Sequence, residues 1–260
     1  MKQFILPGPP DHTGTIRLSG KDYHYLARVR RLKAGTVFPA RLPSGETARV
    51  AVQSVERDCL IGVCQVSQED VSQTDVSQDA LPPVFLLQGL PKPPKMDLIV
   101  RQAAEAGIAE IIPFISEYSQ VRFGEEKTER WNRIVKEARQ QSGSRIATAV
   151  GPVCTLDGLF ARWEVLKNRY ARTAGIILHQ EPVEKGGFHG CLADEPALVA
   201  LAVGPEGGFS PAELARFLAA GFKPLVLGAA VLRTETAALA AAAAVRIILL
   251  ESASWTLKIP

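Results

Sequence analysis

Through the second half of the chain, near-continuous apolar runs alternate with amphipathic stretches. Val84–Leu87, Ile111–Phe114, Gly175–His179, Ala197–Val203 and Phe222–Gly228 read as strands. Between and after them, apolar positions recur at helical spacing. Lys95–Ala106 stops at Gly107, and Thr128–Gln141 turns Trp131, Ile134, Val135 and Ala138 inward. Ser210-Pro211-x-Glu213 sets an N-cap, a first-turn proline and a capping-box acid before a helix that stops at Gly221. The last helix spans about Thr234–Leu250. Strands apolar on both faces and separated by helices predict an α/β domain, with a parallel sheet covered on both sides.

The first part of the chain has a different rhythm. Val37-Phe38, Ala48–Val52 and Leu60–Val63 are short β-type runs separated by Pro43-Ser44-Gly45 and Arg57-Asp58, which predicts a small barrel. One helix, Asp22–Leu32, interrupts it. Tyr25, Val29 and Leu32 take the core face, while His24, Arg28 and Arg31 share a neighbouring face with Arg30 and Lys33 close by. Residues 66–80 read VSQED-VSQTD-VSQDA, a polar near-repeat with no face to bury. A linker at about 67–81 therefore divides the chain into residues 1–72 and 82–260.

Charge sharpens this division. Residues 1–66 carry ten Lys and Arg against five Asp and Glu, whereas residues 67–80 carry four acids and no base. The basic excess of the first region predicts an anionic partner, and its helical arginine stripe predicts a phosphate backbone. Arg130, Arg133, Lys136 and Arg139, flanked by Arg122 and Arg145, form a second basic set. Cys59, Cys64, Cys154 and Cys191 include no Cys-x-x-Cys pair, so free thiols in a cytoplasmic protein are expected. His12, His24, His179 and His189 lack metal-ligand spacing, so no metal is expected. The amino terminus has no apolar secretory run, and Ala237–Val245 is too short to span a membrane.

Three strands run into distinctive loops: Leu178-His179-Gln180-Glu181-Pro182, Gly204–Phe209 and Leu227–Thr234. Ligands of parallel sheets bind beyond the carboxyl ends of strands, so these loops are expected to meet. Their glycines admit close backbone approach. Glu206 and Glu235 argue for a ligand that carries positive charge or donors rather than phosphate alone. No dinucleotide fingerprint, P-loop or nucleophile elbow is present.

GPEGGFSPAEL, LG-x-x-VLRTETA, LLQGLPKPPKMDLIVRQAAEAG and ERWNRIVKEARQQSG-x-R together resemble the bacterial ribosomal RNA small subunit methyltransferase E family. The resemblance covers nearly the whole chain. It implies a PUA-like barrel over residues 1–72 and a SPOUT-type α/β domain with a deep trefoil knot over residues 82–260. It also implies a homodimer and S-adenosylmethionine as methyl donor, with N3 of a decoding-region uridine in 16S rRNA of the small ribosomal subunit as acceptor. Leu178, His179, Val203, Gly204, Pro205, Glu206, Gly207, Gly208, Leu227, Gly228, Leu232, Arg233 and Thr234 would hold the cofactor. His24, Arg28, Arg30, Arg31, Arg139 and Arg145 would contact RNA. Uridine N3 is a poor nucleophile until its proton is lost, so a base or a cation stabilising the imide anion is required. Arg233 suits the cation, and Glu206 or Glu235 the base, with His179 as a further candidate. The family pattern has a basic residue where Ala229-Ala230 stand, an Asp-Gly turn at Pro43-Ser44-Gly45 and Val-Leu-Arg at Val29-Arg30-Arg31. The competing readings are a 2′-O-ribose RNA methyltransferase of the same fold and a non-catalytic RNA-binding assembly factor.

Overall fold

The computed structural model describes residues 3–66, 81–119, 126–180 and 188–254. Most of the expected linker, Arg122 and the loop residues Glu181-Pro182 lie outside them. The chain divides into two compact units, residues 1–74 with 140–147 and residues 75–139 with 148–260.

The first unit is built on β1 (Phe4–Ile5), β2 (Thr15–Ser19), β3 (Val37–Arg41), β4 (Thr47–Val55) and β5 (Cys59–Val66). Their sheet order is β1-β3-β4-β5-β2, antiparallel except for β1 beside β3. Strict alternation along β4 sends Ala48, Val50 and Val52 inward and Arg49 and Ala51 outward, as a sheet with one wet face requires. These residues join Phe4, Leu18, Leu26, Phe38 and Leu60 in one apolar core.

The helix of this unit departs from expectation. It starts as α1 (Gly20–Tyr23) and continues through His24–Val29 as a π-helix, with the Arg30 N–H donating to the Tyr25 carbonyl. A wider turn shifts the register away from a period of 3.6. Leu26 therefore takes the fully buried position, Tyr25 and Leu32 are only partly buried, and Val29, expected inside, is 60% exposed.

The second unit contains β6 (Val84–Gly89), α2 (Pro93–Glu105), β7 (Glu110–Ile115), α3 (Glu126–Ser142), β8 (Ala149–Val150), β9 (Cys154–Thr155) and α4 (Leu156–Arg169). It continues with β10 (Thr173–Leu178), α5 (Phe188–Leu192), β11 (Leu198–Val203), α6 (Pro211–Ala219), β12 (Phe222–Leu225) and α7 (Thr234–Ser254). The sheet is wholly parallel, in the order β12-β10-β11-β6-β7-β8, with β9 also on β7. Alternate residues of one strand feed two cores. Leu86, Val199 and Leu201 join the layer that contains α2, α3 and α7 residues, and Phe85, Leu87 and Ala200 join the layer with α4 and α6. That is why β6 and β11 are apolar at every position but Gln88 and Gly89.

Helix α4 was not among the expected elements, although its signal is present. Thr155 caps it by accepting from the Gly158 N–H, and Leu159, Trp163 and Leu166 bury one face. Strand β12 ends at Leu225, three residues before its expected end, and releases Val226–Gly228 into the following loop.

Candidate active site

Strands β12, β10 and β11 are adjacent, so the loops that follow them emerge side by side at the carboxyl edge of the sheet. They enclose a cavity of about 270 Å³, at the small end of ligand-sized pockets. Every residue expected to hold a cofactor lines it: Leu178, His179, Val203, Gly204, Pro205, Glu206, Gly207, Gly208, Leu227, Gly228, Leu232, Arg233 and Thr234. Lys95 lines it too, and sequence reading gave that residue no role.

The wall is mostly main chain, and close packing sets its shape. The Gly208 N–H closes a turn onto the Pro205 carbonyl at 3.0 Å, with Gly208 at φ +71°. A Cβ on Gly204 would stand 2.9 Å from the Gly208 carbonyl carbon, and one on Gly89 would stand 2.7 Å from Pro205 Cδ. Backbone cannot yield as a flexible side chain does, so both positions require glycine.

Buried polar groups then pin the loops together. Gln88 is fully buried at the end of β6, and its Nε2 donates to the Gly89 carbonyl at 2.9 Å and to Thr234 Oγ1 at 3.0 Å. Thr234 Oγ1 in turn donates to the Gly204 carbonyl at 2.6 Å, which ties the start of α7 to the loop after β11. The His179 N–H donates to the Leu225 carbonyl at 3.0 Å and carries the β10–β12 pairing to the rim. Gln88 was also absent from the expected site. A lone amide closing an apolar strand was its signal.

Charge is concentrated at one side. Lys95, in the first turn of α2, places Nζ 3.3 Å from Glu206 Oε1 and 3.7 Å from Glu235 Oε2. The Lys92 N–H also donates to Glu206 Oε1, at 3.2 Å. Burial alone would raise the Glu206 pKa. Its own backbone N–H, that of Lys92 and the Lys95 ammonium outweigh this, and the carboxyl sits below its ordinary value. Glu235 is not part of the cavity lining, and its Oε2 is buried without a hydrogen-bond donor, so Lys95 is its compensating charge. Arg233 is exposed on the cavity wall. The site thus combines a net negative cluster with a separate guanidinium, over a cradle of backbone groups.

The expected RNA contacts fall into two sets. His24, Arg28, Arg30 and Arg31 are all exposed around the π-helical segment. The Arg28 guanidinium lies 6.0 Å from the centre of the Tyr23 ring, and Arg31 holds a positive φ of 56°. On α3 the expectation needs correction. Arg139 is only 5% exposed, because it continues the inward stripe of Trp131, Val135 and Ala138 at helical spacing. Arg145 is half-buried, and Arg130 is tied to Asp97 at 2.6 Å. Among the described residues, one group has metal-ligand proximity, Glu56, Asp58 and Cys59 in the first unit, and Cys59 Sγ donates within it to Glu56.

Residues 78–246 match the model of the RNA methyltransferase domain family. Ribosomal RNA small subunit methyltransferase E of Synechocystis is 32% identical over 236 residues, covering 90% of this chain and 74% of the relative. Its counterpart in Aquifex aeolicus is 33% identical over 220 residues, covering 75% of this chain and 89% of the relative. The fold is shared with the crystal structure of the Neisseria gonorrhoeae ribosomal RNA small subunit methyltransferase E bound to S-adenosylmethionine. That structure is 24% identical, covers 95% of this chain and 98% of its own, and has a TM-score of 0.75. All three loops that build the cavity lie inside the matched stretch, and the chain belongs to the ribosomal RNA small subunit methyltransferase E family.

Proposed function

We propose that this protein methylates N3 of a decoding-region uridine in 16S rRNA, with S-adenosylmethionine as the donor. One observation carries the reading: the Gly204–Gly208 and Leu227–Thr234 loops meet in a single cavity beside Lys95, Glu206 and Arg233. The residues fit such a donor. Main-chain groups near Leu227, Gly228 and Leu232 suit the edge of an adenine. Gly228, at φ +147°, has no atom within 4 Å of where a Cβ would stand, which leaves room there. Two carboxylates offset by one ammonium leave a negative cluster suited to a sulfonium. When bound, S-adenosylmethionine supplies the electrophilic methyl group.

The protein's own task is to position the uracil and to stabilise N3 as its proton leaves. Glu206 stays ionised because Lys92 and Lys95 favour its charged form, and a carboxylate so stabilised is a weak base. Its role in this reading is electrostatic. Arg233 has no charged or hydrogen-bonded partner for its side chain among the described residues, so its guanidinium is available to the imide anion. His179, which lines the cavity, remains the candidate for accepting the proton, whereas Glu235 stands outside the lining and faces Lys95.

The rest of the reading follows the family. The first unit would be a PUA-like RNA-binding barrel, and its exposed His24, Arg28, Arg30 and Arg31 support this. The carboxyl-terminal segment would form a trefoil knot. In support, the chain leaves β12 at the sheet's edge and returns to hydrogen-bond Gln88 and Gly204 near its centre. A second copy of the chain would cover α7, whose outer face presents Leu239 at 36% and Ile247 at 54% exposure. A cytoplasmic location agrees with four free cysteines, and no described helix is long and apolar enough to cross a membrane.

The test is nucleoside mass spectrometry of small-subunit RNA incubated with the protein and S-adenosylmethionine. 3-Methyluridine is the expected product. A ribose-methylated nucleoside with an unmodified base would move the assignment to the 2′-O class. No product, together with no calorimetric binding of the donor, would leave an RNA-binding factor.

A further inference from the structure

Resting on the reading that the substrate is RNA, we infer that Tyr118 is a stacking platform for a nucleobase beside the cavity. Tyr118 follows β7 and packs on the loop that lines the site. A Cβ on Gly207 would stand 2.9 Å from Tyr118 Cβ, 3.2 Å from its Cγ and 3.3 Å from its Cδ2. Gly207 is therefore bare where the tyrosine lies against it, and Gly207 itself lines the cavity.

A single exposed aromatic needs no explanation by itself. What distinguishes this one is the investment in holding it. Glu213 is 5% exposed, and its carboxylate accepts from the Ser210 N–H at 3.0 Å as part of the capping box of α6. The same carboxylate accepts from Ser116 Oγ at 3.0 Å and from the Glu117 N–H at 2.9 Å. The Ser119 N–H then closes a turn onto the Ser116 carbonyl at 2.9 Å, and Ser119 Oγ accepts from the Ser116 N–H at 3.1 Å. One buried side chain thus fixes the turn that carries Tyr118 and the helix that follows the Gly204–Phe209 loop.

Tyr118 nevertheless remains 43% exposed, with one part of its ring against Gly207 and no ring–ring contact or hydroxyl hydrogen bond among the described residues. A rigidly held aromatic face, open to solvent and next to a methyl-transfer cavity, suits a base taken out of its stack. Stacking tolerates any base, so this contact would hold the strand rather than read its sequence.

The experiment compares wild type with Y118F, Y118L and Y118A. A fluorescently labelled 16S rRNA fragment containing the target uridine is titrated by anisotropy, and S-adenosylmethionine by calorimetry. Y118A and Y118L should bind the RNA about tenfold more weakly, whereas Y118F should stay within about twofold of wild type. Donor affinity and melting temperature should be unchanged in all three. Equal RNA binding by Y118L and Y118F would make the residue a spacer and overturn the inference. So would wild-type RNA binding by Y118A, or a parallel loss of donor binding. If wild type methylates the RNA and the variants do not differ, only this inference fails. If wild type neither binds nor methylates it, the RNA reading fails first and takes this one with it.

Discussion

The π-helical segment of the first unit and the Gly204–Gly208 loop of the second both carry residues proposed to meet a ligand, yet they are held in opposite ways. His24, Arg28, Arg30 and Arg31 stand exposed, and what they offer is side-chain charge. The loop offers main chain, held by a turn hydrogen bond, by Gln88 and Thr234, and by glycines that admit no Cβ. A surface of charges is graded and replaceable, because each phosphate contact adds a screened increment. A backbone cradle is close to all-or-none, because moving one loop moves every group on it. Substitutions should therefore produce steep losses in the second unit and shallow ones in the first.

Arg233→Ala should give the steepest loss. Removing one cation aimed at a developing anion costs about a hundredfold in turnover. Single-turnover kinetics should show this loss with donor affinity, read by calorimetry, little changed. Wild-type turnover would take Arg233 out of the chemistry and leave the cradle without its charged partner.

Gly204→Ala comes next. Its new Cβ would meet the Gly208 backbone at 2.9 Å, and overpacking of this kind costs about 1–3 kcal/mol. Thermal melting should fall accordingly, and donor binding should weaken about tenfold or more. An unaltered affinity would show that the loop can shift freely and would erase the contrast with the first unit.

The paired variant Arg28→Glu and Arg31→Glu should act more gently on RNA. Affinity should drop several-fold, and the log–log salt dependence should flatten by about 1.5 in slope, as expected for two lost phosphate contacts. Donor binding should not change. A slope equal to wild type would place the docking surface elsewhere.

The smallest effect concerns acid. The Glu206 carboxyl lies below its ordinary value in the folded protein, so its stabilising contribution is complete above the unfolded value near 4.5 and is lost as pH falls through the folded value. Glu206 is about a third exposed, which limits this pair to less than about 1 kcal/mol. Melting curves of wild type and Glu206→Gln from about pH 7 down to about pH 3 should converge at the acid end. A gap that is constant across the range would mean that the ion pair with Lys95 contributes nothing.

Local signals were legible where a residue's neighbours in sequence are also its neighbours in space. Ser210, Pro211 and Glu213 read as a helix start and form the capping box. Glu213 also holds Ser116 and Glu117 from almost a hundred positions away, and nothing local encodes that. The inward stripe of α3 is legible in Trp131, Ile134, Val135 and Ala138. Arg139 continues that stripe and was assigned outward because charge was weighed above spacing. Val29 failed for a different reason, since a period of 3.6 does not apply to a turn that winds with wider hydrogen bonds.

By itself the sequence determined the strand–helix alternation, the both-faces-covered sheet and the two glycine-bearing loops, because hydrophobic periodicity, caps and glycine punctuation act within a few residues. Only the tertiary structure decided that Lys95 stands between Glu206 and Glu235, that Gln88 pins Thr234, and that Tyr118 leans on Gly207. Each of these pairs residues brought together by the parallel order of strands far apart along the chain. Charge and close packing depend on distance in space, and that distance exists only once the sheet has assembled.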